Sequence, residues 1–282
     1  MSLSLRVLSR VTAPAPRPHV PDPWQARYHA DLAAAFGASA DEELMRRGSN
    51  VSQTDLVDLL LEDDPAAGFA PDLAILAYTV PDLHLHRAVA SYFNHRTGGN
   101  AQSFALSRQG ACAPFTALRI AAAHEETGRP SRTLVAVVEQ TTLPQPLPFG
   151  EDLADSGVLL ALAPSAAADA PAGVSAEAPG ARLGAVHTGC SPDDLAQLLD
   201  ETLADFANPL VVSGPGMDAD RARAAAPGAD HHTTAAGSHC TAAWLALAEH
   251  WDSWTSRHDA VVLTSGHASE VCVAALHMPG NR

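Results

Sequence analysis

Apolar and polar positions alternate between two periods along this chain, and the alternation lays out a series of short strands and amphipathic helices. Leu56, Leu59 and Leu60 recur at helical spacing within Thr54–Glu62, with Ser52 or Thr54 as the natural N-cap. Leu73–Tyr78 is an unbroken apolar run closed by Thr79–Pro81 and reads as a buried strand. Leu85, Val89 and Phe93 share one face of a helix predicted over 83–96, ended by Gly98-Gly99. Strands follow at Phe104–Leu106, Leu134–Val138 and Gly157–Ala163, with a helix over Ala113–His124 that holds Pro114 in its first turn. Beyond an alanine- and proline-rich stretch, Pro164–Gly180, which reads as a linker, the alternation resumes. It gives a strand at Leu183–His187, a helix at Pro192–Phe206, a strand at Leu210–Val212, helices at Asp218–Ala226 and Thr241–Trp251, and strands at Val261–Leu263 and Val271–Leu276. The first 30 residues carry Pro14, Pro16, Pro18, Pro21 and Pro23 and read as an extended lead-in.

The two parts share a plan: strand, helix, a turn with a reactive residue type, helix, strand, strand. Cys112 occupies that turn in the first part and His239 in the second. A duplicated α/β architecture is the economical reading, with an N-terminal half at 1–163, a linker at 164–182 and a C-terminal half at 183–282.

Composition narrows the function. Hydrophobic residues make up 46% of 282, enough for a large core. The formal charge is -15, and all 17 basic residues are arginine, so nucleic acid and anionic membranes are poor partners. No apolar run approaches the roughly 18 residues of a membrane span, and Met1–Val20 has no secretory h-region. Four irregularly spaced cysteines suit free thiols in a reducing cytoplasm.

Among these cysteines, Cys112 carries the clearest chemistry. It stands in Ser107-Arg-Gln-Gly-Ala-Cys-Ala-Pro-Phe115, between a predicted strand and a predicted helix. The positive end of a helix dipole lowers a thiol's pKa, and N–H groups at such a turn can hold an oxyanion. Cys190, Cys240 and Cys272 read as packing residues. Asp230-His-His232 with His239-Cys240 lacks a paired CxxC or a His-x3-His spacing, so no metal site is assigned.

The stretches Asp72–Val80, Asn100–Ser107 and Gly110-Ala-Cys-Ala-Pro-Phe-Thr-Ala-Leu118 resemble the ketoacyl synthase III branch of the thiolase superfamily, which places its acyl-accepting cysteine in a similar context. Thr133–Gln140, Phe149-Gly150 and Val261–Gly266 resemble later segments of that family. The resemblance implies a thiolase-like duplicated α/β/α/β/α layered fold and a homodimer, or a heterodimer with another ketosynthase. It implies acyl transfer from acyl-CoA or an acyl-carrier protein through Cys112, with no resident cofactor, in polyketide or other specialised metabolism.

Departures from the family pattern shape the chemistry. The His-Gln-Ala-Asn motif is replaced near Ser213, and the Gly-Asn-x-Ser-Ala-Ala motif reads Gly237-Ser-His-Cys-Thr-Ala-Ala243, with Ser238 or His239 near the lost asparagine. Decarboxylative condensation needs those donors, whereas acyl transfer needs a thiolate, an oxyanion hole and one base. His239 ranks first as base and His267 second, with Gly266 and His267 as sources of an oxyanion N–H by resemblance. Arg221 and Arg223 would meet an anionic carrier, with Arg46 and Arg47 as a second pair. Carbon–carbon condensation and a non-catalytic partner subunit are the alternatives.

Overall fold

The computed structural model describes residues 3–127, 131–147, 149–150, 152–165 and 180–279. Its helices are α1 (Pro23–Ala35), α2 (Glu42–Arg47), α3 (Gln53–Leu60), α4 (Val89–Arg96), α5 (Ala113–Glu126), α6 (Leu195–Leu203), α7 (Ala219–Ala225) and α8 (Ala242–Arg257). Its strands are β1 (Leu3–Thr12), β2 (Leu73–Tyr78), β3 (Gln102–Leu106), β4 (Thr133–Glu139), β5 (Ser156–Pro164), β6 (Ala181–Gly189), β7 (Pro209–Ser213), β8 (Asp230–Thr233), β9 (Ala260–His267) and β10 (Glu270–His277).

The strands run in the order β3-β2-β4-β5-β1-β6-β10-β9-β7-β8. Read inward from either edge, the two halves are the same. In the first, β2 pairs parallel with β3 and β4, and β4, β5 and β1 follow antiparallel. In the second, β7 pairs parallel with β8 and β9, and β9, β10 and β6 follow antiparallel. The halves meet where Ser4 and Leu5 face Arg182 and Ala181.

Period-two patterning sorts these strands into layers. Ile75, Val135, Val137, Leu160, Val212, Leu263, Cys272 and Ala274 face one central core with Phe115 and Leu118 of α5 and Trp244 and Leu247 of α8. Their neighbours Ala74, Leu76, Leu134, Ala136 and Leu159 turn outward onto α3 and α4. Val211, Val262, Val271 and Val273 turn outward onto α6 and α7. The result is an α/β/α/β/α stack with α5 and α8 in the middle. Phe115 and Trp244 meet there edge to face, 5.3 Å between centroids.

Several sequence expectations change here. The proline-rich start is not an extended lead-in: Leu3, Leu5 and Val7 alternate inward as β1, and α1 follows, capped by Asp22 and opened by Pro23. The alternation was present in the sequence, but the prolines after it masked it. Helix α4 begins at Val89, not 83, because long-range bonds hold the preceding segment open. Asp82 accepts from the Gln53 N–H at 2.8 Å, and the Gln25 side chain donates to the Leu83 carbonyl. Strand β8 was missed because Asp230-His-His-Thr233 has no apolar pattern, as suits a strand paired on one side only. Ser52 caps α3 through a reciprocal pairing with Asp55, as the sequence predicts. Most of the predicted linker, 166–179, lies outside the described residues. No helix among the described residues is long and apolar enough to cross a membrane.

Candidate active site

The topology puts Cys112 and His239 at matching places, each just before the central helix of its half. Cys112 is the N-cap of α5, and His239 stands two residues before Thr241, the N-cap of α8. The turn before Cys112 is tight: Arg108 and Gly110 have φ of 63° and 50°. Gly110 is required there, because a Cβ would overlap the ring of His267. His267 ends β9, so the β9–β10 turn of one half lies on the cysteine turn of the other. Phe149 stacks on His239 at 3.9 Å and stands 6.3 Å from His267.

Both imidazoles are therefore part of one cluster. Burial first, and repulsion from His267 second, push the His239 pKa down to about 4. His239 is neutral at pH 7 and able to accept a proton. Its backbone N–H donates to Glu139 Oε2 at 2.7 Å, and the Thr241 hydroxyl donates to the same oxygen at 3.1 Å. Glu139 ends β4 and is fully buried, its other oxygen has no hydrogen-bond partner, and burial raises its pKa. This carboxylate of the first half thus anchors the His239 turn of the second.

The thiol is not activated as the sequence predicts. Cys112 is 1% exposed, and its pKa is raised, first by the hydrogen bond with Cys272 and then by burial. The helix-end effect is overridden because a neighbouring sulfur competes for charge in a dry site. The N–H groups of the cysteine turn and of Gly266 are also occupied. The Cys112 N–H bonds the Gln109 carbonyl at 2.9 Å, the Ala113 N–H bonds the Gly110 carbonyl, and the Gly266 N–H bonds the Pro215 carbonyl at 2.8 Å.

The remaining candidates fall in different places. Ser213 is buried at the end of β7, opposite Thr264 of β9. Gly214 follows so closely beside Ser265 that a Cβ would overlap the Ser265 hydroxyl. Gly216 packs against Gly266 in the same way. Ser238 lines a cleft of about 690 Å³ with Arg10, His232 and His250. Arg221 pairs with Asp193 and Arg223 with Asp220, while Arg46 and Arg47 both pair with Glu43. The Asp230–His232 side chains disperse: His231 meets the Ala226 carbonyl, and His232 packs on His250 and Trp254. The sequence gives Glu139 no role, Phe149 only its place in the resemblance, and Cys272 only packing. An acid closing the apolar run Thr133–Glu139 was a signal for the first, and nothing in the sequence marked Cys272 as a neighbour of Cys112.

No protein-family model matches the chain, and no curated protein matches it. Solved structures do. The acyltransferase ChlB3 is 14% identical, with 98% of this chain and 96% of that chain covered at a TM-score of 0.56. The tetronic acid condensing enzyme AbyA1 is 16% identical, with 98% and 100% covered at 0.60. The 3-oxoacyl-(acyl carrier protein) synthase III, FabH, of Xanthomonas oryzae pv. oryzae is 12% identical, with 98% and 100% covered at 0.59. At these identities the likeness shows the fold.

Proposed function

From the thiolase-like fold that the chain shares with these structures, we propose that it is a ketosynthase III-like acyltransferase. It takes an acyl group from acyl-CoA or an acyl-carrier protein onto Cys112 and passes it to a nucleophilic acceptor, in polyketide or other specialised metabolism. The observation that carries this reading is the meeting of Cys112 at the start of the central helix α5 with His267 on its turn and His239 beside Phe149.

Neutral His239 is the base that removes the thiol proton, and later the proton of the acceptor. Attack on the thioester carbonyl forms the Cys112 acyl-enzyme, and the carrier thiolate that leaves takes the proton back from His239 and departs as a thiol, so that His239 is neutral again for the acceptor. The reaction requires the Gln109–Cys112 turn to open, freeing the Cys112 N–H for the oxyanion and uncovering the sulfur. Arg221 and Arg223 face an anionic carrier in this reading, and Arg221→Glu weakens transfer from carrier-bound donors. No resident cofactor is needed. Four free cysteines fit the reducing cytoplasm, and the working unit is a homodimer or a heterodimer with another ketosynthase.

Intact-mass analysis after incubation with acyl-CoA or acyl-carrier thioesters tests the reading. An adduct that maps to Cys112 and is absent in Cys112→Ala supports it, and no adduct with any thioester refutes it. Carbon dioxide release from a malonyl thioester would instead assign condensation, and AbyA1 is named as a condensing enzyme. The buried thiol and occupied N–H groups favour a second reading, a non-catalytic subunit that pairs with an active synthase. Co-purification with such a synthase, without self-acylation, would select it.

A further inference from the structure

A second sulfur lies against the candidate nucleophile, and acyl transfer gives it no task. Strands β9 and β10 pair antiparallel so that Cys272 faces Ser265. Cys112 reaches the same rung from the start of α5: its Sγ is 3.9 Å from the carbonyl oxygen of Ser265, the residue that Cys272 faces, so the two thiols are neighbours. Both cysteines are 1% exposed within one core cluster and are free thiols. Behind Cys272, the hydroxyl of exposed Thr188 lies 3.9 Å from its sulfur and accepts from the Arg119 guanidinium at 3.2 Å. The pair is thus one hydroxyl away from the surface on the β6 side.

We propose that Cys112 and Cys272 form a reversible disulfide under hydrogen peroxide, with Cys272, the thiol nearer the surface, attacking first and Cys112 as the resolving thiol. The Cys272 sulfur attacks one peroxide oxygen, the O–O bond breaks, and the leaving hydroxide takes the thiol proton as water. Cys272 becomes a sulfenic acid. The Cys112 sulfur then attacks the sulfenic sulfur, the S–O bond breaks, and hydroxide leaves with the Cys112 proton as a second water. Two thiols are oxidised to one disulfide, and one peroxide is reduced to two waters. The shared position of the two thiols at Ser265 makes the second step local and intercepts the sulfenic acid before further oxidation.

Burial selects the oxidant. Hydrogen peroxide is close to water in size, whereas a bulky disulfide such as oxidised glutathione reaches exposed Cys190 instead. The disulfide leaves no thiol at Cys112 to take an acyl group. That consequence rests on the acyltransferase reading, but formation of the bond does not.

The test uses the full folded chain carrying Cys190→Ser, treated with hydrogen peroxide, alkylated after denaturation and digested without reduction. The expected result is a cross-linked peptide pair holding Cys112 and Cys272. The intact chain loses about 2 Da, and dithiothreitol restores it. With Cys112→Ser or Cys112→Ala, the same dose carries Cys272 on to the sulfinic acid. Recovery of both residues as alkylated thiols, or of sulfinic Cys272 beside alkylated Cys112 in the parent chain, overturns the proposal. Acylation of the reduced chain is measured separately. A chain that links but never acylates refutes only the acyltransferase reading, and one that acylates but never links refutes only the disulfide.

Discussion

The ring of His267 lies against Gly110, where the cysteine turn has no room for a Cβ. Gly110 also holds a φ of 50°, which a side chain disfavours. Gly110→Ala therefore has two costs: backbone strain and displacement of the imidazole. It should destabilise the fold by about 1–3 kcal/mol and abolish Cys112 acylation. Thermal melts and intact-mass assays check both. Wild-type stability with wild-type acylation would show that the contact is dispensable.

His239 should titrate with a midpoint near 4, followed by its ring resonances in NMR. Removing the neighbour with His267→Ala should raise that midpoint, but not to the ordinary 6.5, since burial is the larger cause. The sign for stability follows. The unfolded chain binds this proton near 6.5 and the folded chain only near 4, so acid favours unfolding across that window. Relative to His239→Gln, the parent protein should lose stability as pH falls from 6.5 to about 4, and the difference should be flat above 6.5.

Glu139 joins the halves through the backbone of His239 and the hydroxyl of Thr241. Glu139→Ala leaves both donors buried without an acceptor and should cost about 1–3 kcal/mol in denaturant unfolding. Glu139→Gln keeps an acceptor oxygen and should recover most of that loss. Equal losses in the two variants would mean that the negative charge, not the acceptor, holds the turn.

Phe115 and Trp244 are the central contact between α5 and α8. Phe115→Ala should cost about 3–5 kcal/mol through the cavity it leaves. A double-mutant cycle with Trp244→Leu should return a coupling of about 0.5–1.5 kcal/mol, and additive losses would remove the ring contact from the account.

Most of the layered fold could be read along the chain, because inward and outward faces of a strand are written by alternate residues. β10 is the plain case: Cys272, Ala274 and Leu276 face the central core, and Val271, Val273 and Ala275 face α6. The edge strand β8 escaped, since a strand with one neighbour has little apolar surface to declare. The start of α4 escaped because Asp82 and Leu83 are held by partners 29 and 58 residues away.

For the site, the sequence determined the residue types and their local settings: a cysteine before a helix, a histidine before its counterpart, a glycine two residues ahead of the cysteine. Only the tertiary structure decided that His267 covers Gly110, that Glu139 holds His239, and that Cys272 adjoins Cys112. These contacts join positions far apart in the chain, and no local pattern encodes them. They also reversed the expected behaviour of the thiol, because a sulfur's ionisation depends on water and on neighbouring charge, and the fold sets both.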